Sequence, residues 1–501
     1  MLINAELLLQ YQRCQRRPFL DTHADQSQRD VPNELLLKLQ QDKTVHRKSI
    51  LAHFTCEKPD YPKGNWEKGH TATLELMQRG VEYIHQGVLL TKCQELINAV
   101  SENIVSPHHE RYTLLSRPDL LVKQPGQSCF GDWIYVPANI ELGKRPKQEY
   151  QVVATFHALV LEKVQKVAPP TAWLILRTKK IDHPVDLAKW TPQTQQILEE
   201  FVQVLESLDA PEVFISRQKC NLCHWYSQCY AIAQSQKHLS LLPGVTPIRY
   251  NQLQSLSITT LESLANTNPL ILENLVGFDG EVAPKLIVQA QSTLQRRPLI
   301  LPNLLSVENI TITAPVELYF DIEAQPDLDL NYLLGVLVVD RQANTEQFYS
   351  FLAENPEEEE LIWQQFLDLV WQYPEAPIYH FCVYEFDTVK RLAKLYRTSY
   401  SSVQPVLNRF VDVYEQLTQS VALPIESYAL KAIARWLGFE WRNKEANGAK
   451  CIYWYDRWLE TGDRTLLESI QLYNEDDCLA TRKVKDWFVN FVRDEYSCRL
   501  A

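Results

Sequence analysis

Val316-Glu317-Leu318-Tyr319-Phe320-Asp321-Ile322-Glu323 is the stretch from which the rest of the chain can be read. Its β-branched and aromatic residues predict a strand over 316–323. Side chains alternate along a strand, so Asp321 and Glu323 point to one side. Two carboxylates at that separation repel unless a cation sits between them. Moving outward, strands are expected at 332–340 and 345–352. The acidic run Glu357–Glu360 follows Asn355-Pro356. A capping Asn, a Pro at the first helical position and acids near the positive helix end mark a helix start, so this run is structural. A strand at 377–381 follows, and helices fill most of the remainder.

Three sequential strands, then helix, strand and helices, is the element order of a ribonuclease H-like α/β domain, a fold-level analogy that needs residues to support it. Two further segments supply them. In His380-Phe381-Cys382-Val383-Tyr384-Glu385-Phe386-Asp387 a strand passes into a helix. In Leu472-Tyr473-Asn474-Glu475-Asp476-Asp477, Tyr473 and Asp477 are four apart and share a helix face. Four carboxylates and a tyrosine suit phosphodiester hydrolysis with two divalent ions. Hard oxygen ligands favour Mg²⁺ or Mn²⁺, and two ions ~4 Å apart stabilise the attacking and the leaving oxygen together.

These segments, over residues 306–501, resemble the DEDDy 3′–5′ exonucleases, the DnaQ-like group, and within it the YprB-type ribonuclease H-like branch. The resemblance assigns Asp321 and Glu323 to the first motif and Tyr473 and Asp477 to the third. For the second, many relatives carry an Asp after an aromatic, which matches Phe386-Asp387. The YprB-type branch carries Tyr-Glu, which matches Tyr384-Glu385, and Glu385 is the expected ligand. Phe410-Val411-Asp412-Val413-Tyr414 and Ser427-Tyr428-Ala429-Leu430-Lys431 also resemble that branch; core packing and helix initiation account for them, with Lys431 a candidate phosphate contact.

Eleven cysteines, an odd number in a chain that reads as cytoplasmic, argue against disulfides. Cys56, Cys93, Cys129, Cys382, Cys451, Cys478 and Cys498 stand singly and read as small buried hydrophobes. Cys220, Cys223 and Cys229 form a Cys-x2-Cys-x5-Cys set with metal-ligand spacing. Cys14 is the candidate fourth ligand, with His224 second to it. The spacing alone suits a structural zinc or an iron–sulfur cluster. One distant N-terminal Cys followed by this set resembles the iron–sulfur RecB-like nucleases, which implies a [4Fe–4S] cluster, with zinc the alternative.

That family, of the PD-(D/E)xK fold, uses a His, an Asp and an acid-x-Lys pair. His70 and Asp119 match the first two. Where the acid-x-Lys pair belongs, the chain has Asn139-x-Glu141, with Lys144 three residues further on and Gln151 downstream. Asn139 brings no negative charge to a metal. Glu141 with Lys144 would replace the pair only through a bulge, so His70, Asp119, Glu141 and Lys144 form a second, degenerate centre. Between the two domains, Leu242-Pro243-Gly244-Val245-Thr246-Pro247 resembles a helix–hairpin–helix turn, whose backbone N–H groups suit a phosphate; Thr246 replaces its usual second Gly.

The composition agrees with this reading. With 50 Lys+Arg against 62 Asp+Glu, the formal charge is −12. That excludes a generic nucleic-acid coat, whose affinity comes from basic residues. It is compatible with a nuclease that needs carboxylates and only a local basic track. Apolar runs such as Gly335–Val339 fall far short of the ~20 residues of a membrane helix. Leu7-Leu8-Leu9 is followed, not preceded, by Arg13, Arg16 and Arg17, unlike a secretory signal.

The expected architecture is therefore an α/β multidomain protein: a RecB-like domain with iron–sulfur cysteines at 1–235, a helical helix–hairpin–helix-like connector at 236–305, and a ribonuclease H-like DEDDy domain at 306–501. The whole resembles a bacterial family of RecB-like nucleases carrying such a C-terminal domain. The expected activity is metal-dependent 3′–5′ exonucleolysis of single-stranded DNA or RNA, with the N-terminal domain gripping the nucleic acid. The competing class is a non-catalytic nucleic-acid-binding scaffold in which both centres have decayed.

Overall fold

The computed structural model describes residues 1–97, 111–177, 183–302 and 313–500. Two compact units emerge, Met1–Val213 with Arg217–Ala231, and Phe214–Ser216 with Ile232–Ala501. The expected boundary at 306 lies outside the described residues.

The first unit starts with helix α1 (Ala5–Arg13), capped by Asn4, and continues with α2 (Glu34–Leu51) and α3 (Trp66–Gln78). A five-stranded mixed sheet follows in sequential order: β1 (Tyr83–His85), β2 (Leu120–Ser128), β3 (Gly131–Ile140), β4 (Ala172–Ile175) and β5 (His183–Val185). Only the β3–β4 pair is parallel. The crossover between them holds α4 (Gln148–Gln165), and α5 (Leu187–Glu206) comes after β5. Helix α4 is buried on nearly every face, from Tyr150 and Val152 through Phe156 to Leu161. A helix apolar all round belongs in the middle of a core.

The connector belongs to the second unit. Its helix α6 (Val282–Gln295) is tied to the C-terminal part by Gln289, which donates to the Leu423 carbonyl at 2.6 Å, and by Ser292, which donates to Ala422 at 3.0 Å. The Leu242–Pro247 turn is present, with Gly244 at φ +89° before a helix capped by Thr246. A second turn at Gly277 has the same φ, and the Arg249 guanidinium donates to both glycine carbonyls, at 2.7 Å to Gly244 and 2.6 Å to Gly277.

The sheet that carries the acidic motif is built from β6 (Val316–Gln325), β7 (Leu330–Asp340), β8 (Thr345–Leu352), β9 (Ile378–His380) and β10 (Phe410–Asp412), in the order β8-β7-β6-β9-β10. The first three strands form an antiparallel meander, and β9 and β10 join parallel to β6. Helix α7 (Glu359–Gln372) precedes β9 and α8 (Tyr384–Leu395) follows it. Helices α9 (Leu430–Trp436), α10 (Gly448–Thr461) and the 37-residue α11 (Arg464–Leu500) complete the unit. The core joins Phe320, Trp363 and Phe366, with Phe320 and Phe366 stacked at 4.6 Å. The register of α11 over the sheet is set by a buried ionic group: Lys485 reaches Glu317 at 2.5 Å, and Arg341 bridges Glu317 and Asp486. Among the described residues no helix is long and apolar enough to cross a membrane.

Candidate functional site

Strand β6 carries Asp321 and Glu323 to the middle of the second unit's sheet. Its pairing with β7 slips by one residue immediately after Glu323, the kind of bulge that re-aims side chains beside functional sites. Helix α11 places Asp477 against them. Asp321, Glu323 and Asp477 each offer a carboxylate oxygen, all within 4.8 Å of one another. Glu323 and Asp477 are buried and Asp321 is partly so.

Glu385 enters from the first turn of α8 and is 5% exposed, whereas Asp387 faces outward. The loop before it is pinned at both ends. His380 places Nδ1 2.5 Å from the Cys382 carbonyl, and Asp412 accepts the Cys382 N–H at 3.1 Å. Cys382 is held at φ +78°, a left-handed conformation that is strained for a residue with a Cβ. The result is a carboxylate whose Oε2 is buried without a hydrogen-bond partner, 3.6 Å from His380 Nδ1.

Burial, with repulsion from acidic neighbours added to it, makes these acids hard to ionise. Burial raises Asp321 well above the usual carboxylate range, and Asp477, Glu323 and Glu385 add to the effect. Burial and Asp477 do the same to Glu323, and burial raises Glu385. Asp477 is pushed up to about 7 by burial, against the opposing pull of hydrogen bonds from Trp441 and Tyr473. The nearby cation, Lys431, donates to the Ala446 carbonyl and lies over the Tyr473 ring at 4.7 Å. Four hard oxygen donors, an orphaned Glu385 oxygen and an excess of negative charge fit divalent cations.

Two groups that the sequence reading passed over complete the site. The Trp441 indole donates to Asp477 Oδ1 at 2.7 Å, and the Asn474 amide donates to Asp321 Oδ2 at 2.6 Å. Asn474 stands directly after Tyr473 in the motif, so its position was a usable signal. Trp441 had none, being 36 residues from its partner. The other acids of the motif, Glu475 and Asp476, turn away and pair with Arg442.

The first unit arranges its acids differently. Asp119, just before β2, is 4% exposed and accepts the Ile140 N–H at 2.7 Å. Glu141, just after β3, is buried close to it, and burial raises its pKa against the pull of Lys43. Helix α2 supplies a cation to each: Arg47 Nε lies 2.9 Å from Asp119, and Lys43 Nζ lies 3.2 Å from Glu141. Lys144 is exposed at the surface and Asn139 is buried with its Oδ1 unpartnered. His70 is half-buried, with Nδ1 3.3 Å from the Val88 carbonyl. The lysine beside Glu141 therefore comes from α2, a link invisible at a separation of nearly 100 residues.

Cys14 ends α1, and Cys223 and Cys229 lie close enough to it for their charges to interact. Burial raises the Cys223 thiol and pushes that of Cys229 up to about 11, with Arg16 and Arg17 opposing. Cys220 closes the short helix just before Cys223. His224 is occupied elsewhere: its Nε2 lies 2.7 Å from Asp21 and its Nδ1 3.4 Å from Arg17. Arg16 Nε and Arg17 Nε are buried without hydrogen-bond partners. Arg17 Nε lies 3.9 Å from Asp21 Oδ2, and Arg16 and Arg17 both pull on the thiols, a setting that favours thiolates, the form that binds metal. Of the single cysteines, Cys93, Cys451 and Cys478 are buried, Cys56 and Cys382 half-buried and Cys129 exposed; the Cys498 side chain lies outside the described residues.

A family model described as RNase_H superfamily matches residues 318–489, which contain Asp321, Glu323, Glu385, Tyr473 and Asp477. The second unit thus carries a ribonuclease H-like domain, a nuclease-type fold that implies nucleic acid as its ligand. No curated protein matches the chain.

Proposed function

We propose that the second unit is a metal-dependent 3′–5′ exonuclease acting on single-stranded nucleic acid. The observation that carries this is the convergence of Asp321, Glu323 and Asp477 within 4.8 Å, with Glu385 buried alongside. These four carboxylates would hold Mg²⁺ or Mn²⁺, which supplies Lewis acidity to the phosphate and a more acidic bound water. Tyr473, one helical turn before Asp477 on α11, would orient the attacking water. The 3′–5′ direction rests on the DEDDy resemblance of these motifs.

In the first unit, Cys14, Cys220, Cys223 and Cys229 would hold a [4Fe–4S] cluster of structural role, with zinc the alternative, and Arg16 and Arg17 would offset its charge. Asp119 and Glu141 are paired with Arg47 and Lys43, so a metal at this degenerate second centre would compete with both cations. That unit would grip the substrate.

The test uses end-labelled single-stranded DNA and RNA with Mg²⁺ or Mn²⁺, comparing the protein with Asp321→Ala and Asp477→Ala. Stepwise shortening from the 3′ end is expected, reduced by about three orders of magnitude in both variants. Binding without shortening under either metal would support the scaffold instead. Anaerobically purified protein should absorb near ~400 nm, as thiolate-bound iron does; colourless protein with stoichiometric zinc selects the alternative.

A further inference from the structure

Gly335 sits in the interior of β7, opposite Asp321 on β6. Glycine weakens a strand and has no side chain to pack there, and its presence marks a close approach by another group. Here that group is Asn474. A Cβ built on Gly335 would stand 1.6 Å from Asn474 Oδ1, so no other residue leaves room for this side chain. Asn474 is fully buried, its Nδ2 donates to Asp321 Oδ2 at 2.6 Å, and its Oδ1 has no hydrogen-bond partner. Helix α11 presses onto the same glycine a second time, through the Cys478 thiol on the Gly335 carbonyl at 3.7 Å. The amide therefore has one rigid location, fixed from above by its helix and from below by the bare strand.

We propose that Asn474, seated in the slot left by Gly335, is a positioning residue that sets the metal affinity of the centre by orienting Asp321. The inference rests on the metal-centre reading above. With Oδ2 held by the amide, Asp321 presents Oδ1 as a single ligand oxygen. Trp441 does the same for Asp477. Among the described residues no such donor reaches Glu323, and Glu385 Oε2 has no hydrogen-bond partner. The centre thus fixes its two aspartates through donors from remote parts of the chain. Partners behind a metal ligand typically change affinity by about 10–100-fold when removed.

The experiment titrates Mn²⁺ into the chelator-treated full chain by calorimetry, for the unaltered protein and for Asn474→Ala, Gly335→Ala and Asp321→Ala. Asn474→Ala and Gly335→Ala should each weaken the tighter Mn²⁺ site about 10–100-fold. Nuclease activity should return at high Mn²⁺ with the KM for the oligonucleotide unchanged, which a general folding defect would not give. Asn474→Leu keeps the branched shape and carries the test if the alanine variant fails to fold. Unaltered Mn²⁺ affinity in folded Asn474→Ala or Asn474→Leu, with Asp321→Ala defective, overturns this inference alone. Unaltered affinity in Asp321→Ala overturns the metal centre itself, and this inference with it.

Discussion

Both units bury acidic side chains at or near strand ends, yet they balance the charge in opposite ways. In the first, Asp119 and Glu141 each meet a cation from α2, Arg47 at 2.9 Å and Lys43 at 3.2 Å. In the second, Asp321, Glu323, Glu385 and Asp477 crowd together around a single lysine, Lys431, which pulls on Glu323 and Asp477 but donates its hydrogen bond to the Ala446 carbonyl. A carboxylate pair that already owns its cations has little to gain from a metal. A cluster of four that shares one lysine takes up either protons or divalent ions. The teaching is general: the acids of a nuclease motif say little about metal until the cations that reach them are known.

The largest effect should come from the residue that completes the second cluster. Glu385→Gln should lower nuclease rate about 10²–10³-fold, while Asp387→Asn, two residues on and exposed, should stay within about ±0.5 kcal/mol of the unaltered protein in stability and leave the rate alone. Steady-state rates on a labelled oligonucleotide decide this, and the reverse ranking would move the second motif to Phe386-Asp387.

Next in size is the lock on the first cluster. Lys43→Met leaves Glu141 buried without its partner and should cost about 1–3 kcal/mol, read as a lower melting midpoint with exonuclease rate unchanged. In Lys43→Met with Arg47→Met, Mn²⁺ should raise that midpoint in an Asp321→Ala background, where it does nothing with both cations present. Mn²⁺ stabilisation with Lys43 and Arg47 intact would erase the contrast between the units.

The smallest effect is a slope with pH. The carboxylates of the second cluster are raised when folded, Asp477 to about 7, against ~4 for ordinary carboxyls. The metal-free fold therefore holds extra protons, and its stability is full below the ordinary value and lost as pH rises through the folded one. Calorimetric melting without metal should show the midpoint falling from pH 5 to pH 8, by about 2–4 °C for each kcal/mol lost. Saturating Mg²⁺ should flatten the slope, because the metal replaces the protons.

Local periodicity made much of this legible. Alternation placed Asp321 and Glu323 on one side of a strand, and a four-residue spacing placed Tyr473 and Asp477 on one face of α11. The capping of the helix after Asn355-Pro356 and the three consecutive strands were readable for the same reason: each depends on neighbours a few residues away. The glycine at 335 was visible only as part of an apolar run, since its meaning lies in Asn474, 139 positions later.

What the sequence determined by itself is the set of elements and the chemistry they carry, because backbone period and side-chain type are local properties. Tertiary structure alone decided how charge is balanced: Lys43 and Arg47 on one pair of acids, Trp441 and Asn474 on two others, and Glu385 turned inward where Asp387 turns out. Electrostatic and hydrogen-bond energies depend on distance in space and on burial, and both are set only when remote segments pack together.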